Sequence, residues 1–228
     1  MNQFAKMLVP GILLLLNAPS LFAQIKAVTE RGDSIYVFND GTWSFTMDGD
    51  DEDLYDDMGL FNIRPLEIDT LSTRFTYPRS ASKKIESEKG FFTIRYDEGL
   101  WKRVPPGELN DDAEMAFESR VNDIYCIVIS EKIEIGAENI VQIAIENMEE
   151  TTGTPVDIIK IEKRTVNGVD VLRAVLGASY SGIEFIFDSY YYSSEAGTVQ
   201  FTTWTGRNLW RGYEAEILDL LNGFVLKP

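Results

Sequence analysis

The sequence predicts an α+β layered domain over residues 90 to 228, and three observations carry that expectation. Seven runs in this region are rich in β-branched and aromatic residues. Most are joined by short connections, Asn122-Asp123, Asn167-Gly168, Ser181-Gly182 and Ser194-Glu195-Ala196-Gly197, and short turns join antiparallel neighbours. Two amphipathic helical stretches are separated by a long run of strands, which is not the alternation of a doubly wound nucleotide fold.

From the N-terminus, residues 1–23 have the parts of a secretory signal. Lys6 is the only charge, an apolar run follows, and Asn17-Ala18-Pro19-Ser20 breaks it before Leu21-Phe22-Ala23. The run has ten residues, half of what spans a bilayer, and contains Pro10 and Gly11. A signal cut after Ala23, or alternatively at Ala18-Pro19-Ser20, is expected, with a periplasmic or secreted product and no membrane insertion afterwards. Residues 24–47 read as a β-hairpin module, because Ile35-Tyr36-Val37-Phe38 and Thr42-Trp43-Ser44-Phe45 flank Asn39-Asp40-Gly41. Arg31-Gly32-Asp33 reads as a second tight turn.

Residues 48–89 read as a charged flexible linker. Seven acids fall in ten positions from Asp48 to Asp57, while Arg74, Arg79, Lys83, Lys84 and Lys89 make the far end basic. An EF-hand loop starting at Asp48 needs Gly in sixth place and Glu in twelfth, where the chain has Asp53 and Gly59. The block therefore reads as a solvated spacer, with a cation-responsive segment as the alternative.

Within residues 90–228 the expected strands are 91–96, 115–121, 124–131, 157–166, 169–180, 183–193 and 198–205. Over 137–151, Ile140, Val141, Ala144, Ile145 and Met148 share one helical face, and Gly153 and Pro155 end the run. Over 213–222, Tyr213, Ile217, Leu220 and Leu221 line one side, and Asn222-Gly223 before Phe224 reads as a C-cap.

Several segments together resemble the PsbP-like fold: Gly99-Leu100-Trp101-Lys102, the long hairpin around Asn167-Gly168, Tyr190-Tyr191-Tyr192-Ser193 with Gly197-Thr198-Val199-Gln200, and the closing run from Glu216 to Phe224. The resemblance covers residues 90–228 and implies an α/β/α sandwich around a mainly antiparallel sheet. Members of that family include an extrinsic photosystem subunit, a small Ran-binding import factor and many uncharacterised bacterial exported proteins. They act mainly as docking proteins, so the resemblance implies binding more than turnover. Asn39-Asp40-Gly41-Thr42-Trp43 looks like a short N-terminal module of secreted bacterial proteins.

Composition narrows the chemistry. The 228 residues include no His and one Cys, which excludes Ser-His-Asp and Cys-His catalysis, His-ligated metals and an internal disulfide. The photosystem subunit's metal sites use His, so no metal ligand carries over, and no cofactor is expected. A net charge of -16 argues against nucleic acid as a partner. Cys126 lies in a run apolar on both faces and reads as a core residue. Glu184 with Asp188, and Asp111-Asp112-Glu114, could serve a carboxylate-dependent glycan hydrolase, although acids are common enough here to pair by chance. The most suggestive feature is an aromatic belt. Alternation places Tyr190 and Tyr192 with Glu184, Ile186 and Asp188 on the expected more solvated face, near Trp204 and Arg207. Tyr190, Tyr192, Trp204 and Arg207 are the candidate binding residues of a non-catalytic exported protein that docks on a protein or another envelope component.

Overall fold

The computed structural model describes residues 25–28, 34–37, 43–44 and 65–227. The expected signal over 1–23, the turns at Arg31-Gly32-Asp33 and Asn39-Asp40-Gly41, and the acids from Asp48 to Asp57 lie outside the described residues. The chain divides into two units with a boundary between Arg64 and Pro65. In the smaller one, β1 (Ile25–Val28), β2 (Ser34–Val37) and β3 (Trp43–Ser44) form an antiparallel sheet in that order. The β2–β3 pairing is the expected hairpin, and β1 adds a strand that the sequence reading did not assign.

The larger unit begins earlier than expected. Residues assigned above to the far end of the linker form β4 (Asp69–Phe75) and β5 (Lys83–Glu86), so its basic end is part of the folded body. Then come β6 (Phe92–Tyr96), β7 (Trp101–Val104), a short 3-10 turn at Pro106–Glu108, β8 (Met115–Ser119), β9 (Tyr125–Glu131) and helix α1 (Ala137–Thr152). The long meander is β10 (Asp157–Val166), β11 (Val169–Tyr180), β12 (Ile183–Ser194) and β13 (Gly197–Gly206), followed by helix α2 (Arg207–Leu221) and β14 (Phe224–Leu226).

An eight-stranded sheet runs β4-β10-β11-β12-β13-β9-β8-β7. Every pairing in it is antiparallel except that of β4 with β10. A smaller sheet runs β14-β6-β5. The Asn167-Gly168 turn adopts positive φ at both residues, 52° and 83°, the geometry of a two-residue hairpin turn, and Ser181-Gly182 repeats it.

Helices cover both faces of the large sheet, the α+β sandwich expected from the sequence. Ile140, Val141, Ala144, Ile145 and Met148 of α1 pack on Leu172, Leu176, Phe187 and Trp204. On the opposite face Trp210, Ile217, Leu220 and Leu221 of α2 pack among Val175, Tyr190, Phe201 and Phe224, together with the smaller sheet. Strands covered on both sides need apolar residues at successive positions, which explains the continuous hydrophobic runs. Each large aliphatic side chain so enclosed contributes about 1.5–3 kcal/mol. Cys126 is 0% exposed, and burial pushes its thiol pKa up, so it is a core residue as expected. Among the described residues no helix is long and apolar enough to cross a membrane.

Helix α1 ends at Gly153, whose φ of 66° makes the left-handed cap. Helix α2 starts six residues before its expected first residue and ends differently: its cap, Asn222, is right-handed, and Gly223 is there for space. A Cβ on Gly223 would lie 1.9 Å from the carbonyl oxygen of Arg95, where β14 turns in beside β6. Gly223→Ala should therefore cost roughly 3 kcal/mol, the upper end for overpacking. Gly212, inside α2 with nothing within 4 Å of its Cβ position, should gain up to about 1 kcal/mol on replacement by Ala. Urea unfolding of the two variants tests this pair of opposite signs; equal shifts would contradict the packing described.

Candidate functional site

The aromatic belt is not a surface. The face holding Ile186, Asp188 and Tyr190, expected to be the more solvated, lies under α2 and is buried. Tyr190 is 2% exposed; its hydroxyl accepts from Arg164 Nη1 at 3.1 Å and donates to Asn222 Oδ1 at 2.8 Å. Burial, only partly offset by Arg164, pushes its pKa up to about 12. Tyr192 is half-buried with its ring 5.5 Å from that of Phe224. Trp204 is 1% exposed on the other face, among the α1 contacts, stacked on Tyr125 at 5.6 Å. Its Nε1 is buried without a hydrogen-bond partner among the described residues. Arg207 opens α2 over Gly177, where its Nη2 donates to Asp157 Oδ2 at 2.8 Å and its Nε lies 3.3 Å from Glu184 Oε2. The four candidates thus occupy two faces of one sheet and do not meet.

What the sequence reading missed is an ionic cluster between the sheet and α2. Strand register sets Glu162, Arg173 and Tyr190 side by side on β10, β11 and β12. Arg173 grips Asp188 with two bonds, Nε to Oδ1 at 2.8 Å and Nη2 to Oδ2 at 2.6 Å, and donates to Glu162 Oε1 at 3.0 Å. From α2, Glu214 accepts from Arg173 at 2.9 Å and Trp210 Nε1 donates to Asp188 at 3.2 Å. Arg164 pairs with Glu162 at 2.7 Å and lies 4.3 Å from the ring centroid of Phe75, while Lys160 closes the far side at 2.6 Å. Three cations meet three carboxylates, so the cluster is neutral. Asp188, weighed above with Glu184 as an acid/base pair, is 0% exposed and committed to Arg173. A signal for the cluster existed in Arg173, a lone charge in the apolar run Val171-Leu172-Arg173-Ala174-Val175, since a buried guanidinium demands carboxylates.

Open space is found on the opposite face, where α1 begins. A groove of about 560 Å³ lies between the first turn of α1 and the sheet end carrying Lys163, Leu172 and Ser193. The N-cap of α1 is Gly136, and no side chain caps it; its own N–H donates to Ser193 Oγ at 3.1 Å. Asn139 is tied to the carbonyl of Ile135 at 2.9 Å, and Lys163 reaches Glu138 at 3.8 Å with both side chains more than half exposed. The groove therefore offers an apolar floor with hydroxyl, amide, ammonium and carboxylate groups at its rim, an arrangement that orients a ligand through several weak contacts.

The ionic cluster makes stability depend on its partners and on pH. Arg173→Met leaves Asp188 buried and unpaired, at an expected cost of about 3–5 kcal/mol, and adding Asp188→Leu should recover part of that loss. Burial raises the pKa of Glu162, but its bonds to Lys160, Arg173 and Arg164 outweigh this and hold it below the usual carboxylate value of 4.5. A depressed folded pKa contributes stability that is complete above the unfolded value and is lost as pH falls through the folded one. Urea midpoints should therefore fall less steeply below pH 4.5 in Glu162→Gln than in the parent, and identical slopes would sink the assignment.

The sequence matches no family model and, at the level that counts as significant, no curated protein. Solved structures similar in chain path include cyanobacterial PsbP from Synechocystis sp. PCC 6803, at 12% identity and a TM-score of 0.49, covering 66% of this chain and 95% of that one. Another is LpqN of Mycobacterium tuberculosis, described as involved in cell envelope biogenesis, at 10% identity and a TM-score of 0.43, covering 60% of this chain and 83% of that one. Likenesses of this size concern the path of the chain and carry nothing about ligand or partner.

Proposed function

We propose that the protein is a non-catalytic exported binding protein of the bacterial cell envelope, and that its partner engages the groove at the start of α1. The groove carries the reading: its volume of about 560 Å³ lies within the roughly 300–1,000 Å³ usual for ligand sites, and it joins an apolar floor to a polar rim. Export rests on the leader-type residues 1–23, and the envelope as destination belongs to the same proposal. The aromatic belt, which first suggested binding, supports the reading only through Arg207 and Tyr192, both half-buried. A carboxylate-dependent glycan hydrolase has less to support it, because Asp188 is held by Arg173 and Glu184 faces Arg207. The cation-responsive alternative concerns Asp48 to Asp57, outside the described residues.

The test uses the chain from residue 24 immobilised against envelope extract, beside Lys163→Glu, which reverses the rim charge, and Ser193→Trp, which fills the groove. Lys163→Glu should unfold at the parent's midpoint, and Ser193→Trp, which gives up the bond from Gly136, should lose no more than about 1 kcal/mol. A partner retained by the parent and at least tenfold weaker on both variants is the expected result. Equal retention by all three removes the groove, and no partner on the parent counts against binding itself.

A further inference from the structure

The chain contains two Asn-Gly dipeptides, Asn167-Gly168 and Asn222-Gly223. Asn-Gly is where a side-chain amide hydrolyses most readily, because a glycine without Cβ lets its backbone nitrogen approach the asparagine Cγ. The fold brings the two dipeptides together. Asn167 Nδ2 donates one hydrogen to the carbonyl of Asn222 at 2.8 Å and the other to the carbonyl of Phe224 at 2.7 Å. Its Oδ1 accepts from the N–H of Tyr77 at 3.0 Å, and its own N–H donates to the carbonyl of Phe75 at 2.9 Å. One residue thus joins the end of β4, the β10–β11 turn and the junction of α2 with β14. Asn222 is 7% exposed, with its Oδ1 held by Tyr190 and the following Gly223 N–H committed to Leu220 at 2.8 Å.

We propose that Asn167 is a modification site gated by folding: its amide is hydrolysed to a carboxylate only when the β10–β11 turn leaves the α2–β14 junction, and the carboxylate then prevents that seam from closing again. In the reaction the Gly168 nitrogen bonds to Asn167 Cγ and loses its proton, the Cγ–Nδ2 bond breaks, and ammonia departs. Water then opens the cyclic imide, leaving aspartate or, by attack at the main-chain carbonyl, isoaspartate. In the closed seam Cγ cannot turn toward the Gly168 nitrogen without giving up three side-chain hydrogen bonds, which slows the step by a factor on the order of a hundred. The product reverses the chemistry of the seam. A group that donated to two carbonyl oxygens becomes one that only accepts, so two backbone acceptors lose their donor and face a new negative charge.

The wild-type chain carries the test. Incubated in mildly alkaline buffer with and without urea, it is digested and the two Asn-Gly peptides are followed by mass spectrometry for conversion of amide to acid. Conversion at Asn167 should be tenfold to a hundredfold slower without urea, and chain aged in urea should refold to a form with a lower melting temperature, the loss scaling with acid at 167. Equal rates in the two buffers overturn the gating. Full recovery of the parent melting temperature by chain converted at 167 but not at 222 overturns the role of the seam. Asn167→Asp, if it folds, should reproduce the aged form, and a melting temperature equal to the parent's overturns the proposal as well.

Discussion

Asp188 lies at the centre of the sheet with no exposed surface, so its negative charge has to be met from within. Arg173 meets it through a two-bond fork, and that requirement organises the layer above. The fork works only in one register, because sliding β11 by a single residue would turn Arg173 to the α1 side and leave the carboxylate without its cation. Helix α2 is held by the same two groups, through Glu214 on the arginine and Trp210 on the aspartate. The edge strand β4 is bound in through Phe75, over which Arg164 stacks. Apolar area supplies most of the energy of this interface, and the ionic cluster supplies its address.

The two faces of the sheet are consequently unlike. Beneath α2 the hydrogen-bonding groups of the cluster are engaged with one another. Beneath α1 the packing is largely apolar, and the polar groups at its first turn border an open groove at the sheet end. A ligand arriving there meets groups held by single contacts, such as Ser193 with Gly136, and leaves the ionic layer undisturbed.

Much of the fold was legible in the sequence because the meander is local. β10 and β11 have the bounds read from their β-branched, apolar runs and from Asn167-Gly168, and β12 and β13 differ from expectation by a residue or so at their ends. Elements whose partners lie far along the chain were not legible. β4 and β5 sit in a basic stretch that looks like linker until β10 and β6 are beside them, and β7 and β14 are too short for a periodic pattern. The first turns of α2 were missed because Arg207, Asn208 and Arg211 interrupt the apolar pattern around Leu209 and Trp210. For the site, Tyr190 and Trp204 stood out through their type, but a two-residue period says only which residues share a face. It cannot say that a helix will cover that face, and the tyrosines turned out to belong to packing.

The single parallel pairing in the large sheet has a bearing on how the chain assembles. A strand that pairs antiparallel through a two-residue turn meets its neighbour as soon as that turn has formed. β4 instead waits for a partner whose closing contact, Tyr77 with Asn167, spans 90 residues. During synthesis from the N-terminus, β4 therefore exists as an unpaired edge while β6, β9 and α1 are still being made. Closing so long a loop is slow, and the meander has to be in place before β4 gains anything by docking. Late addition of this strand gives the folding chain an interval in which its sheet is open at one side, the state most exposed to pairing with another molecule.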